Sequence, residues 1–236
     1  MRRPVAALIV AALLVAALPV AALPGIVPAA TAAAAPEPAL AGHWTFDEGA
    51  GTTAADTAGT HPATLASGAG WTGGIRGASA LAPNGSSADA GSGVLDTTKS
   101  FSVSSWVRLN KISGYQTFVS VDGNQVSNFF LQLRDDSRRF AFTRLAADAP
   151  ADGTIAAANF DPVVGQWYQL TGVFDATASS LSLYVDGIRQ STVAAPTAWA
   201  TTGHFVIGRG KYAGNPVDFV DGAIDDVRAY SVALSS

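Results

Sequence analysis

The segment HWTFDEGAGTTAADTAG, residues 43–59, places Asp47, Glu48 and Asp56 within ten positions of a chain that is only 14% charged. Carboxylates so concentrated serve acid–base catalysis, ligation of a cation, or the capping and solvation of turns. Hydrolysis of a glycosidic bond is one such catalytic use, and it needs two carboxyl groups about 5–9.5 Å apart across the bond. The chain has only two glutamates, Glu37 and Glu48. The pairs Asp135-Asp136 and Asp225-Asp226 are immediate neighbours, and neighbours on a strand point to opposite faces, so neither pair converges on one bond. An aspartate pair drawn from separate strands is the remaining enzymatic arrangement. Other chemistries lack their residues: there is no G-x-S-x-G, H-E-x-x-H or P-loop, and no cysteine nucleophile. His43, His61 and His204 are scattered without ligand or triad spacing. GRGKYAG, residues 208–214, follows a strand and opens no helix, so it reads as a hairpin loop and not as a phosphate cradle. The domain is therefore expected to be non-catalytic.

The elements that hold these residues follow an N-terminal leader. Met1-Arg2-Arg3 is a positive start, Val5–Leu18 is apolar, and small-residue triplets between Ala30 and Ala35 offer cleavage sites. Residues 1–35 thus read as a secretory signal peptide, and 36–41, with Pro36-Glu37-Pro38, as a linker into one domain over 42–236. No membrane span is expected after cleavage, and the protein is expected to be secreted or at the extracellular surface. Without cysteine it forms no disulfide. Setting aside Arg2 and Arg3, 12 of the 14 basic residues face 18 acidic ones, a net charge near −6. That balance excludes a basic footprint for nucleic acid. About 200 residues suffice for one well-filled core.

From Gly42 onward the hydrophobic pattern alternates with period two in short runs bounded by Gly, Asp and Asn. In LSLYVDGIRQSTV, Leu181, Leu183 and Val185 face one way, and Asp186-Gly187 supplies the positive φ angles of a tight hairpin before Ile188–Val193 returns. Comparable runs cover Phe101–Leu109, Gln116–Val121, Phe129–Arg134, Arg138–Leu145, Gln166–Phe174, His204–Gly208 and Ala223–Tyr230. Val-Asp-Gly at 121–123, 185–187 and 220–222 reads as strand-ending turns. The pattern predicts an all-β fold, a two-sheet antiparallel β-sandwich.

HWTFDEGAGTTAADTAG, SFSVSSWVRL, GQWYQLTGVFDATASSLSLYVDGIRQST, HFVIGRG and VDGAIDDVRAYSVALS, taken in order, resemble the successive motifs of the laminin-G-like jelly-roll family, within the concanavalin A-like lectin and glucanase superfamily. The resemblance runs from about Gly42 to Ser236 and implies a jelly roll. Such domains run some residues past ALS, which makes Ser236 a candidate truncation point within a larger protein. The Glu-x-Asp-x-(x)-Glu run of the superfamily's glucanases is absent. In a jelly roll the first and last strands commonly pair, which would bring Asp47 and Asp56 beside Asp225. Like charges so gathered are tolerable around a divalent cation. Many of these jelly rolls hold calcium near matching positions, so the resemblance implies a structural Ca²⁺ on Asp56 and Asp225, with Asp47 as a third ligand and carbonyls and water completing the shell.

Aromatic faces and planar polar side chains are what grip sugars. Trp44, Trp106 and Trp167 lie within strand motifs and are expected in the core. Trp71, Tyr115, Trp199 and Tyr212 lie in connections, where binding residues concentrate. Arg209, Lys211 and Asn215 flank Tyr212. Tyr212, Arg209, Lys211, Asn215, Trp199 and Tyr115 are the expected ligand-binding residues. The expected ligand is a glycan or an extracellular protein, and the domain is expected to act as a monomer. The alternative is a glycan-processing enzyme or the accessory domain of a larger secreted glycoside hydrolase.

Overall fold

The computed structural model describes residues 40–235, so the expected signal peptide and most of the expected linker lie outside the described residues. Eighteen strands occur among them: β1 (Leu40–Trp44), β2 (Thr53–Ala54), β3 (Ala63–Leu65), β4 (Gly70–Gly73), β5 (Ser79–Ala82), β6 (Ala88–Ser92), β7 (Phe101–Leu109), β8 (Gln116–Asp122), β9 (Ser127–Leu133), β10 (Phe140–Arg144), β11 (Thr154–Ala157), β12 (Trp167–Asp175), β13 (Ser180–Val185), β14 (Ile188–Ala194), β15 (His204–Ile207), β16 (Gly210–Tyr212), β17 (Asn215–Val217) and β18 (Gly222–Tyr230). One sheet runs β14-β13-β12-β7-β18-β5-β4 with β1 also on β18, a second runs β11-β10-β9-β8-β15-β6-β3-β2, and β16–β17 form a separate hairpin. Every pairing is antiparallel, and the first and last strands do pair, Trp44 with Val227 through Leu40 with Tyr230. The protein is the expected two-sheet jelly-roll sandwich. No helix among the described residues is long and apolar enough to cross a membrane.

Alternation decides what lies between the sheets. Phe101, Val103, Val107 and Leu109 of β7 enter the same core as Phe129, Leu131 and Leu133 of β9. Their rings interlock: Phe101 sits 5.1 Å from Phe129 and 5.6 Å from Phe174, and Trp44 stacks on Phe205 at 5.0 Å. Each such ring removes a large apolar area from water, and offset or edge-on pairs add about 0.5–1.5 kcal/mol beyond that burial. Asp186 and Gly187 take φ of 50° and 75°, the left-handed pair the hairpin requires.

Two of the three strand tryptophans are not core. Trp44 is fully buried, but Trp106 and Trp167 are half-buried, and Trp167 lies under the Arg108 guanidinium at 5.0 Å. The inward positions beside Trp167 belong to Tyr168 and Leu170, so the period of two turns both indoles to the outer face. Leu40 and Ala41, expected in the linker, already belong to β1, and Trp71, expected in a connection, lies in β4.

The outer face of the second sheet is unusual in being covered. All seven residues of β9 are buried. Its outward Phe130 packs with Val126, Leu145 and Trp199 in a small second core. Part of that cover is the β16–β17 hairpin. Ser120 Oγ donates to the Arg209 carbonyl at 2.9 Å, the Lys211 N–H donates to Ser127 Oγ at 2.9 Å, and a Cβ on Gly210 would lie 2.8 Å from the Phe130 ring. Only glycine lets the hairpin lie this close to β9.

Candidate functional site

The acidic residues gather at a seam. β18 pairs through Ile224 with Leu81 of β5, then through Val227–Tyr230 with β1. Where it changes partner, Asp226 takes a φ of 47° and the register against β7 shifts. N–H groups without ladder partners there are met by carboxylates. Asp225 Oδ2 accepts from Ile75 and Arg76 at 2.7 and 2.9 Å, and Asp47 Oδ1 accepts from Ala78 at 2.9 Å, so both pin the loop between β4 and β5. Asp56 accepts four N–H groups, from His43, Ala58 and Gly59 on Oδ1 and from His61 on Oδ2, at 2.8–3.1 Å. Glu48 Oε1 accepts from Ala55 at 2.7 Å. Asp226 lies 2.7 Å from His43 Nε2 and 3.1 Å from Arg228, and although burial raises its carboxyl, those two partners hold it below the usual range.

This arrangement constrains calcium. Among the described residues no three His, Cys, Asp or Glu side chains gather as a metal site would require. Asp56 already accepts four N–H groups, so turn capping accounts for its place without a cation. Asp225 Oδ1 does fit: it is buried and, with the Asp226 N–H outside ordinary hydrogen-bond geometry, has no partner among the described residues, and burial pushes the Asp225 carboxyl up against the N–H bonds it accepts. A cation at this seam would be held by Asp225, and not by Asp47, Asp56 and Asp225 jointly.

A concavity lies elsewhere, on the covered face of the second sheet. It is a groove of about 600 Å³ whose floor is Phe130 and Gln132 of β9, Thr143 of β10 and Ile155 of β11. Gln132 Nε2 donates to Thr143 Oγ1 at 2.8 Å, which fixes the amide across two strands. One wall is the hairpin with Tyr212, Val217 and Asp218, and the other is Ala151–Gly153. Tyr115 and Arg134 also line it, with the Arg134 guanidinium 5.4 Å over the Tyr115 ring. Tyr115 and Tyr212 are 37% and 41% exposed, large rings left uncovered beside a floor of mixed apolar and polar side chains.

Charge in the groove is uneven. Arg134 forks onto Asp136, through Nε at 3.0 Å and through Nη2 on the other oxygen, and that bond holds the Asp136 carboxyl low. Asp152 and Asp218 make no ion pair among the described residues. Burial pushes the Asp218 carboxyl up to about 6, and the nearby Thr117 hydroxyl only partly offsets this, being outside ordinary hydrogen-bond geometry.

The six expected ligand residues divide between places. Tyr115 and Tyr212 line the groove. Lys211, on the opposite side of the hairpin, and Trp199 line a second, polar depression of about 490 Å³ with Asp122, Asp148 and His204. Lys211 Nζ donates to the Gly123 carbonyl at 3.0 Å. Arg209 is committed to Asp122 at 2.9 Å, and Asn215 bonds the Ala213 carbonyl across its own turn, so both hold the hairpin in shape. Trp199 donates its indole N–H to the Leu145 carbonyl at 3.0 Å and packs on the back of the outer core. Sequence reasoning missed Phe130, Gln132, Asp152 and Asp218. The signal for the first two was the doublet in NFFLQL, since with Phe129 inward, Phe130 must face out.

No curated protein matches the sequence. Solved structures of similar fold include domain 4 of AbnA, an extracellular GH43 arabinanase from Geobacillus stearothermophilus, in complex with arabinotriose. It has a TM-score of 0.66 and 19% identity, over 84% of this chain and 95% of that one. The botulinum neurotoxin serotype D binding domain has a TM-score of 0.58 and 16% identity, over 84% and 49%. The CBM40 of Ruminococcus gnavus IT-sialidase, bound to alpha2,3 sialyllactose, has 0.50 and 13%, over 59% and 80%. At these identities the likeness is one of fold. The profile of the Laminin_G_3 family matches residues 83–236, well over half of the sequence. The chain belongs to that family, in the concanavalin A-like lectin/glucanases superfamily.

Proposed function

We propose that this is a secreted, non-catalytic carbohydrate-binding module whose ligand lies in the groove over β8–β11. The observation that carries the reading is the groove's composition. Two half-exposed tyrosines stand over a Phe130 floor, with the planar polar groups of Gln132 and Arg134 beside them. Rings of that kind stack on the apolar faces of sugars, and the amide and guanidinium reach their hydroxyls. The arabinotriose and sialyllactose complexes of two structures of similar fold support a saccharide over a protein ligand. The chain has two glutamates, and the one among the described residues, Glu48, is bonded to the Ala55 N–H away from the groove, which supports a non-catalytic reading. AbnA domain 4 is one domain of an arabinanase, which supports a role as the binding module of a larger secreted hydrolase.

The test is a glycan array followed by calorimetry on its strongest hits, with arabinotriose as the first probe. Tyr212→Ala is expected to weaken binding by about 1–3 kcal/mol while leaving the melting temperature nearly unchanged. Equal affinity for wild type and variant would remove the hairpin from the site, and a blank array would favour a protein ligand. Calcium at the seam is a separate proposal, supported by the orphaned Asp225 Oδ1. Calcium should raise the melting temperature over that in chelator, and Asp225→Asn should abolish the difference. Asp56→Ala should instead lower stability equally in both buffers, by about 2–3 kcal/mol for lost charge-assisted bonds. Identical wild-type melts with calcium and with chelator would refute the site.

A further inference from the structure

We propose that the groove admits uncharged glycans and rejects acidic ones, and that the rejection resides in Asp218 and Asp152. The inference rests on the reading of this groove as the saccharide site and adds the class of saccharide it takes.

Among the described residues Arg134 is the one cationic side chain lining the groove, and it is neutralised by its fork onto Asp136. The hairpin brings two further cations close, but the strand period turns them away. Lys211 points to the opposite side from Tyr212, toward the Gly123 carbonyl, and Arg209 is bound to Asp122. What faces a ligand is therefore two carboxylates without partners, one on each wall. A saccharide carboxylate or sulfate lying between those walls meets like charge from either side and finds no open cation. Two like charges about 6 Å apart in water repel enough to weaken binding about threefold, and more where the groove excludes water. Among structures of this fold, one is solved with sialyllactose, an acidic sugar. The fold thus does not dictate the preference, and the groove's own side chains must.

Asp218 also makes the rejection adjustable. Thr117 of β8 lies beside it, and the titratable or charged side chains that line the groove with it are Tyr115, Tyr212, Asp152 and Arg134, the last with its Asp136. None is a free cation, so its proton is governed by burial, which holds it to about 6. Below that pH the groove loses one of its two opposing charges and acidic ligands gain. Neutral ligands have no charge to respond with.

The experiment takes the neutral glycans that bind on the array and measures each against its sialylated, uronate or sulfated counterpart by calorimetry. Measurements are made at pH 7.5 and pH 5, with wild type and Asp218→Asn. Neutral members should bind with similar affinity at both pH values. Their acidic counterparts should bind about threefold or more weakly at pH 7.5. That deficit should shrink at pH 5, and in Asp218→Asn it should be small already at pH 7.5. Added salt should shrink the wild-type deficit as well. Acidic glycans among the tightest ligands at pH 7.5 would overturn the proposal. So would a deficit that persists unchanged in Asp218→Asn and at pH 5, because a steric cause has no reason to follow this carboxyl. Failure of every glycan to bind would instead refute the saccharide reading itself.

Discussion

Asp218 also carries a stability cost that can be measured without any ligand. It leaves β17 with a φ of 58°, its carbonyl accepts the Thr117 N–H at 2.7 Å, and its side chain lies half-buried on the groove wall without a cation. Asparagine has the same shape and tolerates the same left-handed backbone, so Asp218→Asn removes the charge and little else. A carboxyl moved from 3.8 to about 6 costs at most about 3 kcal/mol when ionised, at about 1.4 kcal/mol per tenfold change in proton affinity. Partial exposure lets water screen the charge, so about 1–2 kcal/mol is expected. The sign follows from linkage. The folded state holds this proton more tightly than the unfolded chain, so the wild type gains stability as pH falls from above 6 toward 4 and is penalised above 6. Asp218→Asn should therefore melt about 2–8 °C higher than wild type at pH 7.5, taking 2–4 °C per kcal/mol for a domain of this size. At pH 4 most of that advantage should be gone. A variant no more stable than wild type at pH 7.5, or one stabilised equally at both pH values, would refute the reasoning.

Two further outcomes test the core. Arg144 is fully buried between the sheets, with Nη2 donating to the Thr97 carbonyl at 2.5 Å, its guanidinium 3.7 Å over the Phe174 ring, and Nε and Nη1 without partners. Burial pulls it down to about 10, so at neutral pH it is charged at a cost, and Arg144→Met should raise the urea midpoint by the equivalent of about 1–4 kcal/mol; a lower midpoint would mean that the ring stack outweighs the desolvation. Trp44→Ala should cost about 3–5 kcal/mol as a core truncation, whereas Trp167→Ala, on the outer face, should cost about 1 kcal/mol or less, and equal losses in urea unfolding would contradict the assigned strand phase.

Much of the sandwich was legible because the long central strands alternate cleanly. The run Phe101–Leu109 coincides with β7, and those at Gln116, His204 and Ala223 match β8, β15 and β18 to within a residue or so. The strands that went unread are β2 to β6, β11, β16 and β17. They are two to five residues long and rich in Ala, Gly, Ser and Thr, so their apolar contrast is too weak to show a period. The phase of a strand is harder still to read. Gln166–Phe174 was visible as a strand, yet Trp167 and Tyr168 are both plausible inward residues, and only the partner sheet decides that Tyr168 enters.

The carboxylates show why a local signal can be real and its purpose still hidden. Asp47, Glu48, Asp56 and Asp225 stand out in a weakly charged chain, and the pairing of β1 with β18 was foreseen. What the sequence could not display is that β18 changes partner from β5 to β1, because that depends on Ile224 meeting Leu81 and Val227 meeting Trp44. The change leaves backbone N–H groups unpaired, and the acids answer those groups first. The groove was hidden for the same kind of reason. Its floor comes from β9, β10 and β11 and its wall from a hairpin some eighty residues later. Tyr115 and Tyr212 could be picked out as ring-bearing loop residues, but nothing local sets Tyr212 toward Gln132 and Lys211 toward Asp122. That sorting is made by the seat of Gly210 on Phe130. The same contact that covers the outer face of β9 thus turns the hairpin's cation away from the groove and its ring into it.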